Sequence, residues 1–157
     1  AQGHVTRDFA GSIALLDEAL SINGNSALTL RLSSIMHAYA GQYDRASELA
    51  MMALRLSPVD PMNYHPYLAL TVASYFRDRF DETVSYSTSA IRSNPRFNLS
   101  YAFLAAGHVK LGHLETARDA ARRLLEIDPS FAIGTLERLG YLHKSLFDSL
   151  RAAGLPD

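Results

Sequence analysis

The chain has 157 residues, no cysteine and a net charge of −1 with its six histidines neutral. Hydrophobic residues make up 48% and charged residues 20%, which is typical of a single globular domain with its own core. There is no basic field to attract nucleic acid or an anionic membrane. Without cysteine, disulfides and thiolate chemistry are excluded. No apolar run approaches the ~20 residues of a membrane span. We therefore expect a cytoplasmic protein that binds neither nucleic acid nor membrane.

Residues 1–24 are predicted to be a leading partial repeat. Because the chain starts at Ala1 inside a helical pattern, residues 1–6 are expected to end a helix that begins upstream, so that the chain is a piece of a larger protein. A second amphipathic helix is predicted over Asp8–Ile22. Asn23-Gly24 predicts that this helix ends in a left-handed cap.

An aromatic residue or leucine opens each of four predicted helices, at steps of 34, 37 and 34 residues. A small residue follows three positions later, and a proline or glycine follows fifteen positions later. The columns are Phe9, Tyr43, Phe80 and Leu114; Ser12, Ala46, Thr83 and Ala117; and Gly24, Pro58, Pro95 and Pro129. Small side chains let paired helices approach closely, and proline stops a helix because it lacks the amide proton. The sequence therefore predicts stacked helix pairs.

Each opening residue is preceded by a turn and by a further predicted helix. Gly41 and Gly112 lie in two of these turns, where the chain reverses and positive φ is needed. Asp78 replaces glycine in the middle copy, which predicts a different turn there. The first helices are predicted at about Ser26–Ala40, Asn63–Arg77 and Asn98–Leu111, within repeats 25–58, 59–95 and 96–129. The three extra residues of the second repeat fall in a longer connection, Ser57–Tyr64.

A helix–turn–helix unit with a period of 34 residues resembles the tetratricopeptide repeat (TPR) family. The resemblance covers roughly Thr6–Ala132. It implies an all-α fold, a right-handed superhelix in which antiparallel helix hairpins stack into an α-solenoid. The function that this fold implies is protein binding.

Residues 130–157 are predicted to form a helical cap. One helix carries Ile133, Leu136 and Leu139, and a further helix carries apolar residues on one face and charged residues on the other. The apolar residues of that helix are Leu142, Leu146, Phe147 and Leu150, and the charged ones are Lys144, Asp148 and Arg151. We expect this tail to cover the apolar face of the last repeat, since the end of a solenoid needs a cap.

A narrower resemblance follows from the segments RDFAGSIALLDEAL, SALTLRLSSIMHAYAGQYDRASELAMMALRLSPVDP and LRAAGLPD. They are similar to the carboxy-terminal repeat region of bacterial multidomain signalling proteins. In those proteins an adenylate/guanylate-type nucleotide cyclase domain, or less often a winged-helix DNA-binding domain, precedes the repeats. The resemblance implies a non-catalytic regulatory module of signal transduction and cyclic nucleotide biosynthesis. The catalytic residues would then lie upstream.

In the resembled family the first helices line a concave groove that takes peptides or partner helices. The positions expected to face it form an apolar and aromatic stripe with one arginine: Leu28, Arg31, Ile35, Tyr39, His65, Leu68, Val72, Tyr75, Phe76, Leu99, Ala102, Phe103 and Ala106. The lysines and asparagines with which relatives grip a peptide carboxylate are absent. Such a groove favours an amphipathic helix. Three alternatives stay open: packing against the chain's own tail or neighbouring repeats, a partner from elsewhere, and self-association into a homodimer.

The chemistry-bearing residues show no catalytic or metal-binding pattern. No two histidines are four residues apart on one helix, and no H-E-x-x-H motif occurs. His37 and His108 occupy the same repeat column, which indicates a structural role. Glycine-rich phosphate loops and the G-x-S-x-G motif are also missing. We therefore expect no catalytic residue, no metal and no cofactor in this chain.

Overall fold

The computed structural model describes residues 9–140 and 142–157. Within these residues it contains nine α-helices, one short 3-10 helix over Pro61–Asn63 and no β-strand, which confirms the all-α class. The α-helices are α1 Phe9–Ile22, α2 Ala27–Tyr39, α3 Tyr43–Leu56, α4 Tyr64–Phe76, α5 Phe80–Ser93, α6 Asn98–Lys110, α7 Leu114–Ile127, α8 Ile133–Leu139 and α9 Lys144–Ala152. The helix end expected over residues 1–6 lies outside the described residues.

The helix boundaries follow the predicted repeat. The second helices α3, α5 and α7 each have 14 residues and begin at Tyr43, Phe80 and Leu114. Each ends two residues before a proline of the predicted column. The first helices α2, α4 and α6 each have 13 residues and differ from the predicted spans by no more than one residue at either end. The period of the sequence is thus the period of the structure.

The small-residue column lies where paired helices cross. Ala46, Thr83 and Ala117 are all 0% exposed. Thr83 carries a hydroxyl into this buried position, and that hydroxyl donates to the Arg79 carbonyl at 3.1 Å and lies 3.0 Å from Ser74 Oγ. Because the polar group has partners, its burial carries no unsatisfied hydrogen bond. Each second helix packs against its own first helix and, except in the last repeat, against the next one, and this arrangement builds the solenoid.

The three inner turns share one conformation. Gly41 and Gly112 have φ values of 80° and 79°, and Asp78 has a φ of 58°. The same backbone bonds close all three turns; the Asp78 amide, for example, donates to the Tyr75 carbonyl at 3.1 Å. The predicted difference at Asp78 is wrong, because aspartate tolerates the left-handed region well enough for the repeat to impose it.

The end of α1 also differs from the prediction. Gly24 is not among the described residues with positive φ, so the left-handed cap expected at Asn23-Gly24 is wrong. Instead the Asn25 amide donates to Asn23 Oδ1 at 3.1 Å. The asparagine side chain therefore closes this turn in place of a left-handed glycine.

The tail turns back onto the repeats. Helix α9 makes its main contacts with α6 and α8 and is not stacked on α7. Among the described residues, no helix is both long and apolar enough to cross a bilayer.

Candidate partner-binding groove

The first helices form a continuous face, because α2 packs against α4 and α4 packs against α6. All thirteen residues predicted to face the groove lie on these three helices. The second helices back this face from the other side. The residues of α2, α4 and α6 that were predicted for this stripe are called the groove residues below. Their surroundings differ greatly from one end of the solenoid to the other.

At the first-repeat end one of the groove residues, Leu28, is exposed. Leu28 is 58% exposed, and Leu32, one turn later on the same stripe, is 41% exposed. Tyr39 is half-buried, whereas Ile35 is buried. Leu32 was missed by the sequence analysis, although its spacing of four from Leu28 places the two leucines on one helix face. This end therefore presents adjacent leucines to solvent.

Arg31 does not offer a free positive charge to a partner. Its Nη1 donates to Asp60 Oδ2 at 2.5 Å, which joins α2 to the long connection between the first and second repeats. Asp60 also accepts the Met62 amide at 2.7 Å. That backbone bond, and then Arg31, hold the pKa of Asp60 below its ordinary value. Arg31 is 8% exposed, and its Nε is buried without a partner.

His65 completes this polar corner. It is half-buried on α4, and its ring lies 4.2 Å from the ring of Tyr64. Burial and then the charge of Arg31 lower the pKa of His65 from 6.5. Both effects favour the neutral imidazole over the charged one.

At the third-repeat end the chain's own tail packs against α6 and reaches Tyr75 of α4. Leu146 and Leu150 of α9 are 0% exposed, and Phe147 is 6% exposed. They share one apolar cluster with the groove residues of α4 and α6. The groove residues of α4 and α6 that are buried in that cluster are Leu68, Val72, Tyr75, Leu99, Ala102, Phe103 and Ala106, and Ile35 of α2 belongs to it as well. The contacts with the tail itself are those of α6 with α9 and of the Tyr75 hydroxyl with Ser145 and Ser149, and the other groove residues are buried among the repeats and the tail together.

Tyr75 is the polar anchor of the tail. Its hydroxyl donates to the Ser145 carbonyl at 3.1 Å and lies 2.9 Å from Ser149 Oγ. Burial raises the pKa of Tyr75, although the bonds to Ser149 and Ser145 act in the opposite direction. A phenol at 2% exposure needs such partners, because an unpaired buried hydroxyl is costly.

The rings around Tyr75 form an aromatic cluster under the tail. Phe76 and Phe103 meet Tyr75 edge-to-face, with ring centroids 5.1 Å and 5.6 Å away. Phe76 also meets the ring of His143 edge-to-face at 4.9 Å. Edge-to-face pairs of this kind add stability beyond area burial. These aromatic residues were predicted to face the groove, whereas the tail was predicted to cap the end of the stack.

The outer side of the tail is held by exposed ion pairs. Arg151 donates to Glu137 of α8 at 2.7 Å and to Asp157 at 2.6 Å. These two bonds, in that order, raise the pKa of Arg151. The Ile133 amide donates to the Pro156 carbonyl at 2.8 Å, which ties the last residues to the start of α8.

His37 and His108, which share a repeat column, have different partners. His37 is buried, and its Nδ1 lies 2.8 Å from the Ser33 carbonyl. His108 Nδ1 lies 3.4 Å from His113 Nδ1. Burial and then the neighbouring His113 lower the pKa of His108 from 6.5. Both contacts lie within one helix pair and support the turn and helix that carry them.

No protein-family model matches the chain. A curated relative, the peroxisomal targeting signal receptor of Saccharomyces cerevisiae, is 33% identical over 84 residues, which cover 54% of this chain and 13% of the receptor. The chain thus spans a small fraction of the length of that relative.

Three solved structures resemble the whole fold. The crystal structure of MamA has a TM-score of 0.69 at 21% identity and covers 93% of this chain and 86% of its own. The first TPR domain of Spaghetti (RPAP3), bound to the HSP90 peptide SRMEEVD, has a TM-score of 0.62 at 20% identity and covers 81% and 89%. YrrB, described as a TPR protein with an unusual peptide-binding site, has a TM-score of 0.62 at 16% identity and covers 92% and 76%. These likenesses show the fold, a right-handed TPR-type solenoid, as predicted.

Proposed function

We propose that this chain is a non-catalytic protein-interaction module that binds a segment of a partner protein on its concave face. The observation that carries the proposal is the first-repeat end, where Leu28 and Leu32 are exposed next to a groove whose other predicted residues are mostly buried. Exposed apolar residues that adjoin a groove are typical of a contact surface. Two of the similar structures are described as peptide-binding, one of them with its peptide bound.

The chemistry of the open end selects the kind of partner. Asp60 already pairs with Arg31, and the lowered pKa of His65 favours its neutral form. Among the described groove residues, therefore, no unpaired positive charge is available to an acidic peptide or a terminal carboxylate. An apolar stripe along a helix with this spacing fits the apolar face of an amphipathic helix.

The proposal is tested with peptides selected from a random display library on the full chain. Peptide affinity is then compared between the wild type and the double variant Leu28→Glu, Leu32→Glu. We expect the variant to lose at least about tenfold in affinity, since two charges would face the apolar side of the ligand. Val59→Glu is the matched control, because Val59 is 93% exposed but lies in the connection before α4. Equal binding by all three proteins contradicts the groove assignment.

The wider setting is proposed from the resemblance of the sequence to bacterial signalling proteins. In that setting the module regulates or assembles a nucleotide cyclase domain located upstream; a winged-helix transcriptional regulator is the alternative. The upstream reading frame separates the two. A cyclase domain would carry metal-binding aspartates, whereas a regulator would carry a DNA-reading helix. An upstream frame with neither would contradict both settings.

Homodimerisation is a second candidate function, and α1 favours it. None of the described residues of α1 is buried, and Leu15 and Ile22 are 70% and 82% exposed. A symmetric contact between the α1 helices of two copies would bury Leu15 and Ile22 of both copies. Sedimentation equilibrium of the wild type and of Leu15→Glu, Ile22→Glu is the test. A dimer that the double variant disrupts supports this function, and a monomer at high concentration contradicts it.

A further inference from the structure

The position of α9 differs from that of a stacked cap. Helices α4 and α6 each pack against the second helix of the preceding repeat, α3 and α5. A helix that continued the stack would lie in the same way against α7. Helix α9 instead contacts α6 and reaches Tyr75 of α4. It occupies the groove as a bound helix would.

The side chains of α9 that contact the groove follow a fixed order along the helix. Leu146, Phe147 and Leu150 supply the buried apolar face, and Ser149 supplies a hydroxyl to Tyr75. The opposite face is charged, with Lys144, Asp148 and Arg151 exposed. An amphipathic helix with an aliphatic–aromatic–x–hydroxyl–aliphatic order thus satisfies both the apolar lining and the buried phenol.

We propose that α9 is a displaceable occupant of the groove and that the partner's docking segment is an amphipathic helix with this same order of side chains. This inference rests on the proposed function and names the chemistry of the partner. In the resting chain the tail covers the third-repeat end, and the partner helix takes its place.

The structure contains features that allow the tail to leave. Helix α9 has nine residues, and a helix of that length is not stable without a surface to pack on. Gly140 ends α8 with a φ of 73°, which places a flexible residue before the tail helix. The outer fastening to the rest of the chain is the ion pair of Arg151 with Glu137, whose side chains are 38% and 43% exposed. Exposed pairs contribute little and weaken as salt rises.

Because α9 is covalently attached to the repeats, a partner helix must compete with a tail at high local concentration. A tail attached through a few residues acts at an effective concentration in the millimolar range. The apparent affinity of a partner is reduced by the fraction of molecules in which the groove is closed. A chain whose tail seats poorly therefore binds the same helix more tightly.

Hydrogen exchange of the unmodified chain tests whether the tail opens. We expect the amides of α9 to exchange through local opening, about 100-fold faster than those of α6, and faster still in high salt. If the amides of α9 and α6 exchange together, by global unfolding alone, the tail belongs permanently to the core and the proposal is overturned. This measurement needs no variant to fold.

Binding in trans tests the identity of the occupant. The probe is a fluorescent synthetic peptide with the sequence of residues 142–157, titrated onto the full chain. We expect saturable binding to the wild type and binding at least about tenfold tighter to Leu150→Asp. A peptide with Leu146→Asp and Leu150→Asp should not bind, and Val59→Asp should bind like the wild type. No binding to the wild type, or equal binding to wild type and Leu150→Asp, overturns the proposal.

Sedimentation velocity tests the remaining possible occupant of the groove, the tail of a second copy of this chain. Concentration-dependent dimers that exchange tails would show that the tail site is filled by a second copy and would overturn a partner in trans.

Failure of the displacement proposal can be told apart from failure of the proposed function. If selected peptides depend on Leu28 and Leu32 while the tail never opens, only the displacement fails. If the tail opens and is replaced but no peptide depends on those leucines, only the open-end assignment fails.

Discussion

The two ends of the solenoid contain helices of similar composition with very different burial. Helix α1 has nine apolar residues among 14, and none of its residues is buried. Helix α6 has eight apolar residues among 13 and buries nine of its residues. Among the described elements, α1 packs mainly against α2, whereas α6 packs against α5, α7 and α9. Burial in a stacked fold is therefore set by the number of neighbouring helices more than by the helix's own sequence.

The largest expected contrast comes from truncating one groove residue at each end. Phe103 is 0% exposed and contacts Tyr75 and Phe76, so Phe103→Ala should lower the free energy of unfolding by about 3–5 kcal/mol. Leu28 is 58% exposed, so Leu28→Ala should cost about 0.5 kcal/mol or less. Urea unfolding followed by circular dichroism measures both. Similar losses for the two variants would mean that the first-repeat end is also covered.

A smaller contrast compares the tail with α1. Leu150 is 0% exposed and Leu15 is 70% exposed. Leu150→Ala should cost about 2 kcal/mol, the low end for a buried leucine, because the loss cannot exceed the free energy of opening the tail. Leu15→Ala should cost about 0.5 kcal/mol or less. The same unfolding experiment applies, and a negligible cost at Leu150 would show that the tail is not seated in solution.

Turn glycines give the next contrast. Gly112 has a φ of 79° and no atom within 4 Å of an added Cβ, so Gly112→Ala tests backbone strain alone. It should lower the free energy of unfolding by about 1 kcal/mol, because the Cβ of alanine is strained at positive φ. Gly24, near the other end, lies outside the left-handed region, and an added Cβ there meets only the Leu20 carbonyl at 3.5 Å. Gly24→Ala should be neutral in thermal melts, and an equal loss at both sites would contradict the strain argument.

The repeat architecture could be predicted because each recurring residue type meets a physical requirement of its local backbone or helix contact. A proline after Leu56, a small residue at Ala46 and a left-handed glycine at Gly41 each act within a few residues. Their recurrence fixed helix boundaries to within one residue. Asp78 shows the limit of such local rules, because the repeat holds it in the conformation of a glycine.

The occupant of the groove could not be predicted in the same way. The apolar face of α9 was visible in Leu146, Phe147 and Leu150, but amphipathic spacing shows only that a helix needs a surface. The choice between α7 and the groove depends on pairs distant in sequence, such as Tyr75 with Ser149. No local pattern in the sequence records such a pair, and the spacing of Leu28 and Leu32 likewise does not show that they are exposed.

The smallest expected effect is a pH dependence shared by the two ends. His65 at the open end and His108 at the covered end both have a pKa lowered from 6.5, chiefly by burial. The unfolded chain then binds more protons than the folded chain, so stability is complete above the unfolded pKa and falls as the pH drops through it towards the folded pKa. Urea unfolding midpoints at about pH 7.5 and about pH 5.5 measure this slope, the change in stability with pH.

Replacing each histidine separates the two ends. His65→Gln should reduce the acid-induced loss because it removes a group that both burial and the charge of Arg31 keep neutral. His108→Gln should reduce it through burial and the adjacent His113. If His65→Gln keeps the full slope while His108→Gln flattens it, the open end is wetter than its burial indicates, and Arg31 acts only on Asp60.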